Sequence, residues 1–386
     1  MRRITDGWVT HPATQQICAA LTADGAQALF VGGCVRNALL GARVADIDIT
    51  TDARPERVME LAEAAGIKAV PTGIEHGTVT LVQDGIPHEV TTFRRDVETD
   101  GRRAVVAFAD TFEEDAARRD FTMNALYARP DGVVLDPLNG LPDLEARRVR
   151  FIGEAQDRIR EDYLRSLRYF RFHAWYGDEE AGFDADALAA IAENLDGLST
   201  LSRERVGAEL LKLLGAPDPA PSVAAMRSTG VLSQLLPGAD DRALAPLIAI
   251  EAEAGAEIDP IRRLAAMADP EAAATLRLSR AQMQRLTRMR EDATGSSGAA
   301  ELGYRHGVED GLDALLLRGA FFEQPWQPDL SEQLAHGAEV EFPIAARDLI
   351  PDFTGPALGA KLAELETKWI ASDFTLTRDE LLKSGA

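Results

Sequence analysis

The stretch LFVGGCVRNALLGARVADIDITT, residues 29–51, decides how the rest of the chain can be interpreted. An apolar run of strand length, residues 28–31, is followed by Gly32 and Gly33 and then by a short helical pattern over residues 35–40. Glycines between a strand and a helix let the backbone approach an anion, and the first turn of the helix offers free N–H groups. The turn is therefore a candidate phosphate site, although a Gly-Gly pair is also common in ordinary turns.

A second predicted strand, residues 45–50, carries Asp46 and Asp48. Residues two apart on a strand point to the same face, so both carboxylates are expected to lie side by side. Carboxylate oxygens are the ligands that Mg²⁺ prefers, which makes these two residues candidate metal ligands and catalytic residues. An Asp-x-Asp pair can also be a solvated strand edge. Together with the glycine turn, the pair favours phosphoryl or nucleotidyl transfer.

Length and composition indicate a globular protein of two to four domains. The chain has 386 residues, of which 46% are hydrophobic and 27% charged, and domains usually span about 100–200 residues. No apolar run approaches the roughly 18 residues of a membrane span, so no membrane association is expected. Cys18 and Cys34 have no metal-binding spacing and are expected to be reduced, buried side chains of a cytoplasmic protein.

The net charge of −22 argues at first against a nucleic-acid partner. Between Arg147 and Arg171, however, the chain holds eight arginines and only four acidic residues. Salt screens opposing charges beyond about 10 Å, so a local arginine strip can bind phosphates on an acidic protein. The composition therefore leaves RNA open as a partner.

The segment after residue 55 alternates a helix with short strands. Residues 77–82 and 88–93 predict a hairpin whose second strand carries Glu89. The charged segment 94–107 has no clear apolar period, and it is expected to be a mobile loop over the site. A helix over 113–119 then leads into RRDFTMNALY, residues 118–127, whose second half has strand character.

Beyond residue 151 the pattern becomes almost wholly helical. A helix predicted over residues 162–175 would place Asp162, Arg165 and Arg168 at i, i+3 and i+6, which is roughly one face. An Asp that accepts from an exocyclic amine and an Arg that donates to ring acceptors could recognise a base. An ordinary ion-pair ladder along the helix explains the same spacing.

Five motifs in order resemble those of the class II tRNA nucleotidyltransferase/poly(A) polymerase family, within the polymerase-beta-like nucleotidyltransferases. They are GGCVRN…DID, RRDFTMNALY, DPLNGLPDL, EDYLRSLRYFRF and RERVGAELLKLL. The resemblance implies an α+β fold: a catalytic head with a small mixed sheet, followed by an all-α neck, body and tail. The corresponding domain limits are 1–146, 147–215, 216–320 and 321–386, with base recognition in the neck and tRNA binding in the tail.

The resemblance also implies an activity, addition of C, C and A to the tRNA 3′ end from CTP and ATP without a nucleic-acid template. Asp46 and Asp48 would hold two Mg²⁺ ions, and Glu89 is a candidate third carboxylate. The phosphates would be held by Gly32, Gly33 and Arg36. Asp120 would contact the ribose 2′-hydroxyl, and Asp162 with Arg165 would recognise the base. Other members of the implied nucleotide site are Arg119, Asn124 and Arg168.

One residue departs from the family pattern, since Asn37 stands where the family more often has Asp.

Several alternative functions stay open. Residues 71–79, PTGIEHGTV, look like the tRNA-specific branch, whereas poly(A) polymerases tend to have a Gly-Arg-Arg-Phe-like run there. The full-length segment 94–107 favours complete CCA addition over CC-only or A-only addition. A non-catalytic RNA-binding module would not need both aspartates, and a small-molecule nucleotidyltransferase would not need the arginine-rich neck.

Overall fold

The computed structural model describes residues 2–96 and 106–384. It divides into two compact units, residues 1–235 and residues 236–386. Among the described residues, every helix is too short or too polar to cross a membrane.

A seven-stranded sheet forms the centre of the first unit, in the order β3-β4-β5-β2-β1-β8-β9. The strands are β1 (Ala28–Val31), β2 (Asp48–Thr51), β3 (Lys68–Gly73), β4 (Thr78–Gln83), β5 (Ile86–Thr92), β8 (Tyr127–Ala128) and β9 (Val134–Leu135), and a separate pair consists of β6 (Arg94–Asp96) and β7 (Val106–Phe108). Strands β2 and β5 run parallel, whereas the other neighbours run antiparallel. The expected small mixed sheet and the predicted hairpin are thereby confirmed.

The hairpin of β4 and β5 separates an apolar face from a polar one. Val79 and Leu81 are fully buried, as the alternation of a half-buried strand requires. On the other face Thr78 lies opposite Thr91, and Thr80 lies opposite Glu89. In β2, Asp48 occupies the register position beside Glu89. The polar face of the sheet therefore collects carboxylates and threonine hydroxyls.

The segment 94–107 does not begin and end as a loop. Residues 94–96 pair antiparallel with residues 106–108, so its two ends form a strand pair of their own. The loop interpretation is wrong for these ends, because backbone pairing between distant residues needs no apolar period in either strand. The centre of the segment, residues 97–105, lies outside the described residues.

Twelve helices are described in the first unit. They are α1 (Gly7–Thr10), α2 (Pro12–Leu21), α3 (Gly33–Leu39), α4 (Pro55–Ala64), α5 (Phe112–Ala117), α6 (Leu141–Glu145), α7 (Ala155–Glu161), α8 (Leu164–Tyr176), α9 (Ala185–Glu193), α10 (Arg203–Leu214), α11 (Ala220–Ser228) and α12 (Val231–Leu235). Pro12 and Pro55 begin α2 and α4, where the missing N–H leaves no bond unmade.

An aromatic cluster joins residues 118–127, RRDFTMNALY, called the RRDF segment, to α8. The ring of Phe121 lies 4.8 Å from that of Phe172, and Phe151 stacks on Tyr169 at 5.6 Å between centroids. Phe121, Phe151 and Tyr169 are almost completely buried. Offset and tilted aromatic pairs of this kind add to the stability that burial provides. The cluster therefore fixes α8 against the segment that carries Arg119 and Asp120.

Two other local predictions need correction. The helix expected from residue 162 begins at Leu164, and Asp162 has extended backbone (φ −153°, ψ 106°) between α7 and α8. The second half of RRDFTMNALY was expected to be a strand, but residues 122–124 form a 3₁₀ turn and only Tyr127–Ala128 pair as β8. In both segments tertiary contacts override the local preference for helix or strand. Asp162 bonds Arg205, and Thr122 bonds Asp143.

The second unit is helical throughout its described part. Its helices are α13 (Leu244–Ala254), α14 (Pro260–Met267), α15 (Pro270–Ala274), α16 (Arg280–Thr294), α17 (Ala299–Phe321), α18 (Asp329–Glu339), α19 (Pro356–Ala371) and α20 (Arg378–Ser384). Helix α17 is kinked at Gly307, whose φ of 79° a side chain would disfavour. The all-α character expected of this part is confirmed, whereas the proposed limits of neck, body and tail stay predictions.

Candidate active site

The glycine turn brings the backbone against two side chains of the RRDF segment. Gly32 has φ 68°, a region that residues with a Cβ disfavour. A Cβ placed on it would lie 3.3 Å from Nη1 of Arg119 and 3.6 Å from Oδ1 of Asn124. Glycine is therefore favoured here by the positive φ, and a Cβ would in addition press on Arg119. The structure thus brings together three of the predicted nucleotide-binding residues, with Gly33 following as the first residue of α3.

Arg36 is buried beside this turn. Its guanidinium lies over the ring of Tyr176, 3.9 Å from the centroid, and Nη2 donates to the Tyr176 hydroxyl at 2.8 Å. Nη1 donates to Oδ1 of Asn124 at 3.1 Å, and Nε donates to Oδ1 of Asn37 at 3.2 Å. Arg36 therefore links α3 to α8 and orients Asn124. Direct contact of Arg36 with a phosphate stays a prediction.

The carboxylates lie at the start of β2. Asp48 is its first residue, with Glu89 beside it on β5. Asp46 is exposed in the segment before the strand, so the predicted strand over residues 45–50 is wrong at this residue, and the two carboxylates do not share a strand face. The pairing of β2 with β5 begins after Asp46, because the first hydrogen bond between them runs from the N–H of Glu89 to the carbonyl of Ile47.

The pKa of Asp48 is raised to about 6, first by burial and then by the negative charges of Glu89 and Asp46, against the lowering effect of Arg119. A divalent cation would offset this repulsion, so the donor set fits a cation. Among the described residues no group of three or more metal-binding side chains converges. Mg²⁺ usually takes one or two carboxylates and completes its shell with water and substrate phosphates. Asp46 and Asp48 are suited to that mode of binding.

Asp115 is a completely buried carboxylate that orients both arginines of the RRDF segment. Oδ1 accepts from Nε of Arg118 at 2.9 Å, and Oδ2 accepts from Nη2 of Arg119 at 2.9 Å and from the hydroxyl of Tyr127 at 2.8 Å. Burial opposes ionisation, but the charges of Arg119 and Arg118 lower the pKa of Asp115 to about 2. With Nε and Nη2 of Arg119 bound in this way, its Nη1 is left beside Gly32.

Asp120 is held between two other predicted site residues. Its Oδ2 accepts from Nε of Arg168 at 2.7 Å, and its Oδ1 accepts from Nδ2 of Asn124 at 3.1 Å. The side chain is 6% exposed. Burial opposes ionisation, and the Arg168 guanidinium and the Asn124 amide lower the pKa of Asp120 below its usual value. Asp120 is therefore an ionised and fixed acceptor in the same network as Arg36.

Asp162 and Arg165 do not share a helical face, because Asp162 precedes α8. Oδ2 of Asp162 accepts from Nη2 of Arg205 at 2.7 Å, and Oδ1 accepts from the backbone N–H of Leu164 at 3.1 Å. Arg165 pairs with Glu161 and donates to the carbonyl of Arg118 at 3.0 Å. Both side chains are thus held by tertiary contacts at the start of α8, and Arg165 is tied to the RRDF segment.

Four residues of the site, Asp115, Arg205, Tyr176 and Arg94, are not among those predicted from the sequence. Asp115 precedes Arg118 and Arg119 by three and four residues, a spacing that brings side chains together on a helix and could have indicated the pairs. Arg205 and Tyr176 reach Asp162 and Arg36 from other helices, and no local pattern signals such contacts. Arg94 of β6 donates from Nη2 to Thr78 of β4 at 3.3 Å, a contact between two separate sheets that also depends on the fold.

Two family models match parts of the chain, and both matches lie in the first unit apart from residues 236–242. Residues 28–150 match the Poly A polymerase head domain, and residues 182–242 match the family described as a probable RNA and SrmB-binding site of polymerase A. The first match covers the glycine turn, the carboxylates and the RRDF segment.

Whole proteins of known name match a larger part of the chain. CCA tRNA nucleotidyltransferase 1, mitochondrial, of Homo sapiens is 33% identical over 382 residues, which cover 92% of this chain and 85% of that protein. The CCA-adding enzyme of Geobacillus thermodenitrificans is 41% identical over 224 residues, which cover 58% of this chain and 54% of that enzyme.

Solved structures share the fold. The Bacillus stearothermophilus CCA-adding enzyme in complex with CTP superposes with a TM-score of 0.78 at 28% identity, covering 94% of this chain and 93% of that one. The Thermotoga maritima CCA-adding enzyme complexed with tRNA has a TM-score of 0.72 at 19% identity over 100% of this chain and 98% of that one, a likeness of fold alone. With a relative 33% identical along nearly the whole chain, this protein belongs to the family of CCA tRNA nucleotidyltransferases.

Proposed function

We propose that this protein adds C, C and A to the 3′ end of tRNA, using CTP and ATP and no nucleic-acid template. The single observation that carries the proposal is the likeness to a CCA tRNA nucleotidyltransferase along 92% of the chain. The site supports it, because the glycine turn, the carboxylates and the arginines of the RRDF segment lie in one unit. The cytoplasm remains the proposed compartment, although the human relative is named as mitochondrial.

The cation proposed for the site is Mg²⁺, held by Asp46 and Asp48. When bound, it would lower the pKa of the tRNA 3′-hydroxyl and neutralise charge on the triphosphate. Glu89 lies beside Asp48 and is proposed as a further carboxylate of this group. Arg119 would donate to the phosphates from Nη1, which faces the Gly32 turn. Arg36 and Gly33 complete the proposed phosphate site.

Nucleotide selection is proposed to rest on two acidic residues held by arginines. Asp120, fixed by Arg168 and Asn124, would accept from the ribose 2′-hydroxyl and thereby favour ribonucleotides. Asp162 and Arg165 would pair with the hydrogen-bonding edge of C or A, since both bases present an amine beside ring acceptors. Guanine and uracil present the opposite order and would be refused.

The activity can be tested with purified protein, Mg²⁺, labelled CTP, ATP, UTP or GTP, and tRNA that lacks its CCA end. The proposal predicts incorporation of two C residues and one A. No incorporation of CTP or ATP would contradict it. Long A-tails on generic RNA would indicate a poly(A) polymerase instead, whereas incorporation that stops after CC, or only of A, would indicate a partial enzyme.

The base-recognition proposal predicts a specific defect for Asp162→Ala. Loss of the acceptor should lower the preference for CTP over UTP by roughly ten- to a hundredfold, the effect of losing one or two good base contacts. The ratio of kcat/KM values for the four nucleotides measures this. Asp157→Ala, an exposed acidic residue on the preceding helix α7, is the matched control. Unchanged exclusion of UTP in Asp162→Ala would refute the role of this residue.

A further inference from the structure

Three arginines of the first unit surround a single buried carboxylate. Arg118 and Arg119 both pair with Asp115, and the backbone N–H of Arg94 donates to Oδ1 of the same residue at 3.2 Å. Asp115 is completely buried, so its negative charge acts on the residues of this cluster and not on solvent. Asp115 pairs with only two of the three guanidinium groups, because Arg94 contacts it through the backbone N–H, so the cluster carries an excess of positive charge. The charge of Arg119 acts on Asp48 at the start of β2.

The guanidinium of Arg94 is the incompletely bonded member of this cluster. Nη2 donates to Oγ1 of Thr78 at 3.3 Å. Nε is buried and has no hydrogen-bond partner within the described residues. A buried N–H group without a partner costs free energy, and most such groups in proteins are bonded. An acceptor from outside the described residues, such as a bound ligand, would satisfy this N–H group.

The location of Arg94 indicates what that acceptor is. Thr78 lies opposite Thr91, and Glu89 is two residues before Thr91 on the same polar face of the sheet. Through Thr78, Arg94 thus contacts the face of the sheet on which Glu89 and Asp48 lie. Burial, followed by the charges of Arg118 and Arg119, lowers the pKa of Arg94 to about 10, so the side chain is still a cation at neutral pH. A cation with free donors near a cation-binding carboxylate pair suits a polyphosphate.

We propose that Arg94 binds the β- and γ-phosphates of the incoming nucleotide and holds the leaving pyrophosphate, an assignment that rests on the proposed function. In the reaction the tRNA 3′-oxygen forms a bond to the α-phosphorus and its proton passes to solvent. The bond from the α-phosphorus to the oxygen bridging to the β-phosphorus breaks, and its electron pair leaves with pyrophosphate. Arg94 faces the charge that develops on this leaving group.

Binding titrations separate this role from a structural one. Inorganic pyrophosphate, CTP and CMP are titrated calorimetrically, with Mg²⁺ and without tRNA, into wild type, Arg94→Met and Arg94→Lys. Loss of a charge-assisted contact should weaken pyrophosphate and CTP binding roughly ten- to a hundredfold in Arg94→Met, with CMP within about twofold of wild type. Arg94→Lys keeps the positive charge but lacks the planar set of guanidinium donors. Its affinity for pyrophosphate should therefore lie between those of wild type and Arg94→Met.

Arg95→Met is the matched control, because Arg95 is the exposed next residue of the same strand. It should bind all three ligands as wild type does. Wild-type affinity of Arg94→Met for pyrophosphate overturns the proposal, as does an equal loss for pyrophosphate and CMP with a lower melting temperature. If Arg94→Met does not fold, unchanged pyrophosphate binding by Arg94→Lys overturns it.

The same preparations distinguish failure of this inference from failure of the proposed function. If wild type adds CTP to tRNA but Arg94→Met binds pyrophosphate normally, only the assignment of Arg94 is wrong. If wild type adds no nucleotide, the proposed function is wrong, and the pyrophosphate titrations still decide whether Arg94 is an anion ligand.

Discussion

Asp48 lies beside Glu89 in the parallel pairing of β2 and β5, and burial with neighbouring negative charge raises its pKa from 3.8 to about 6. In the cation-free protein the folded state therefore binds a proton more tightly than the unfolded chain does. Stability must then fall as the pH rises from about 4 to about 6, and the loss persists above that range. The site is thus destabilised at neutral pH until a cation arrives.

Asp48→Asn should remove this cost while abolishing nucleotide transfer. At pH 8 in EDTA the variant is expected to be more stable than wild type by about 1–3 kcal/mol, and the difference should vanish near pH 4. Urea denaturation across this pH range measures it. Asp46→Asn, at an exposed position, should change stability by no more than about 0.5 kcal/mol. Equal stability of Asp48→Asn and wild type at pH 8 would count against the buried, repelled carboxylate.

Asp115 shows the opposite electrostatic balance. The charges of Arg119 and Arg118 overcome burial and lower its pKa from 3.8 to about 2, so its stabilising charge is present above pH 4 and is lost only as the pH falls toward 2. Asp115→Asn leaves two arginines without their partner. Breaking such a buried pair costs about 3–5 kcal/mol.

The loss of stability in Asp115→Asn should be measured as a lower urea midpoint for the first unit at pH 7. CTP binding should also be weaker, because Arg119 loses its orientation. Glu113→Gln, at an exposed position on the same helix α5, provides the control and should match wild type in both measurements. Full stability of Asp115→Asn would show that the arginines find other partners.

At the scale of elements, the unit formed by β1, the glycine turn and α3 combines a positive φ with close packing. Gly32→Ala would place a Cβ 3.3 Å from Nη1 of Arg119 in a backbone region that L-residues avoid. The conformational cost alone is about 1–2 kcal/mol. Displacement of Arg119 should in addition weaken CTP binding, by roughly tenfold if one charge-assisted contact is lost.

Gly66→Ala separates these two effects. Gly66 also has a positive φ, 70°, but a Cβ there would meet nothing within 4 Å. This variant should therefore lose stability without any change in CTP affinity, as measured by urea denaturation and calorimetry. Similar CTP affinity in both variants would show that the close approach of Gly32 to Arg119 is unimportant.

Helix α8 shows which properties of an element a local pattern can predict. Apolar spacing correctly indicated a helix near residues 162–175, because a helix that buries one face has apolar residues at helical intervals along the sequence. The exact start was wrong by two residues, and this moved Asp162 off the helix. The backbone turns there because Asp162 bonds Arg205 of α10 and the N–H of Leu164, and the first of these contacts depends on how the helices pack.

At the scale of the whole molecule, an acidic protein is proposed to bind an acidic polymer. The net charge is −22, yet eight arginines lie between Arg147 and Arg171. Local cations that contact phosphates release counterions, so tRNA affinity should fall by at least about tenfold between 50 and 200 mM salt, which corresponds to two or more phosphate contacts.

Filter binding or fluorescence anisotropy with tRNA lacking its CCA end measures this dependence. Arg147→Gln, an exposed position in the strip, should lower the slope of log affinity against log salt by about one if Arg147 meets a phosphate. Affinity that does not respond to salt would exclude an electrostatic role for the strip.

By itself, the sequence determined the elements and chemical groups: a strand, two glycines and a helix, the paired aspartates, the RRDF segment and a helical remainder. These follow from local rules, since glycine permits positive φ and apolar periodicity marks buried faces. Only the tertiary structure decided which groups meet. Glu89 lies beside Asp48 because β2 and β5 are parallel neighbours, and Arg119 reaches Gly32 because Asp115 and Tyr127 hold it there. Contacts between residues far apart along the chain depend on packing and strand register, which no local pattern encodes.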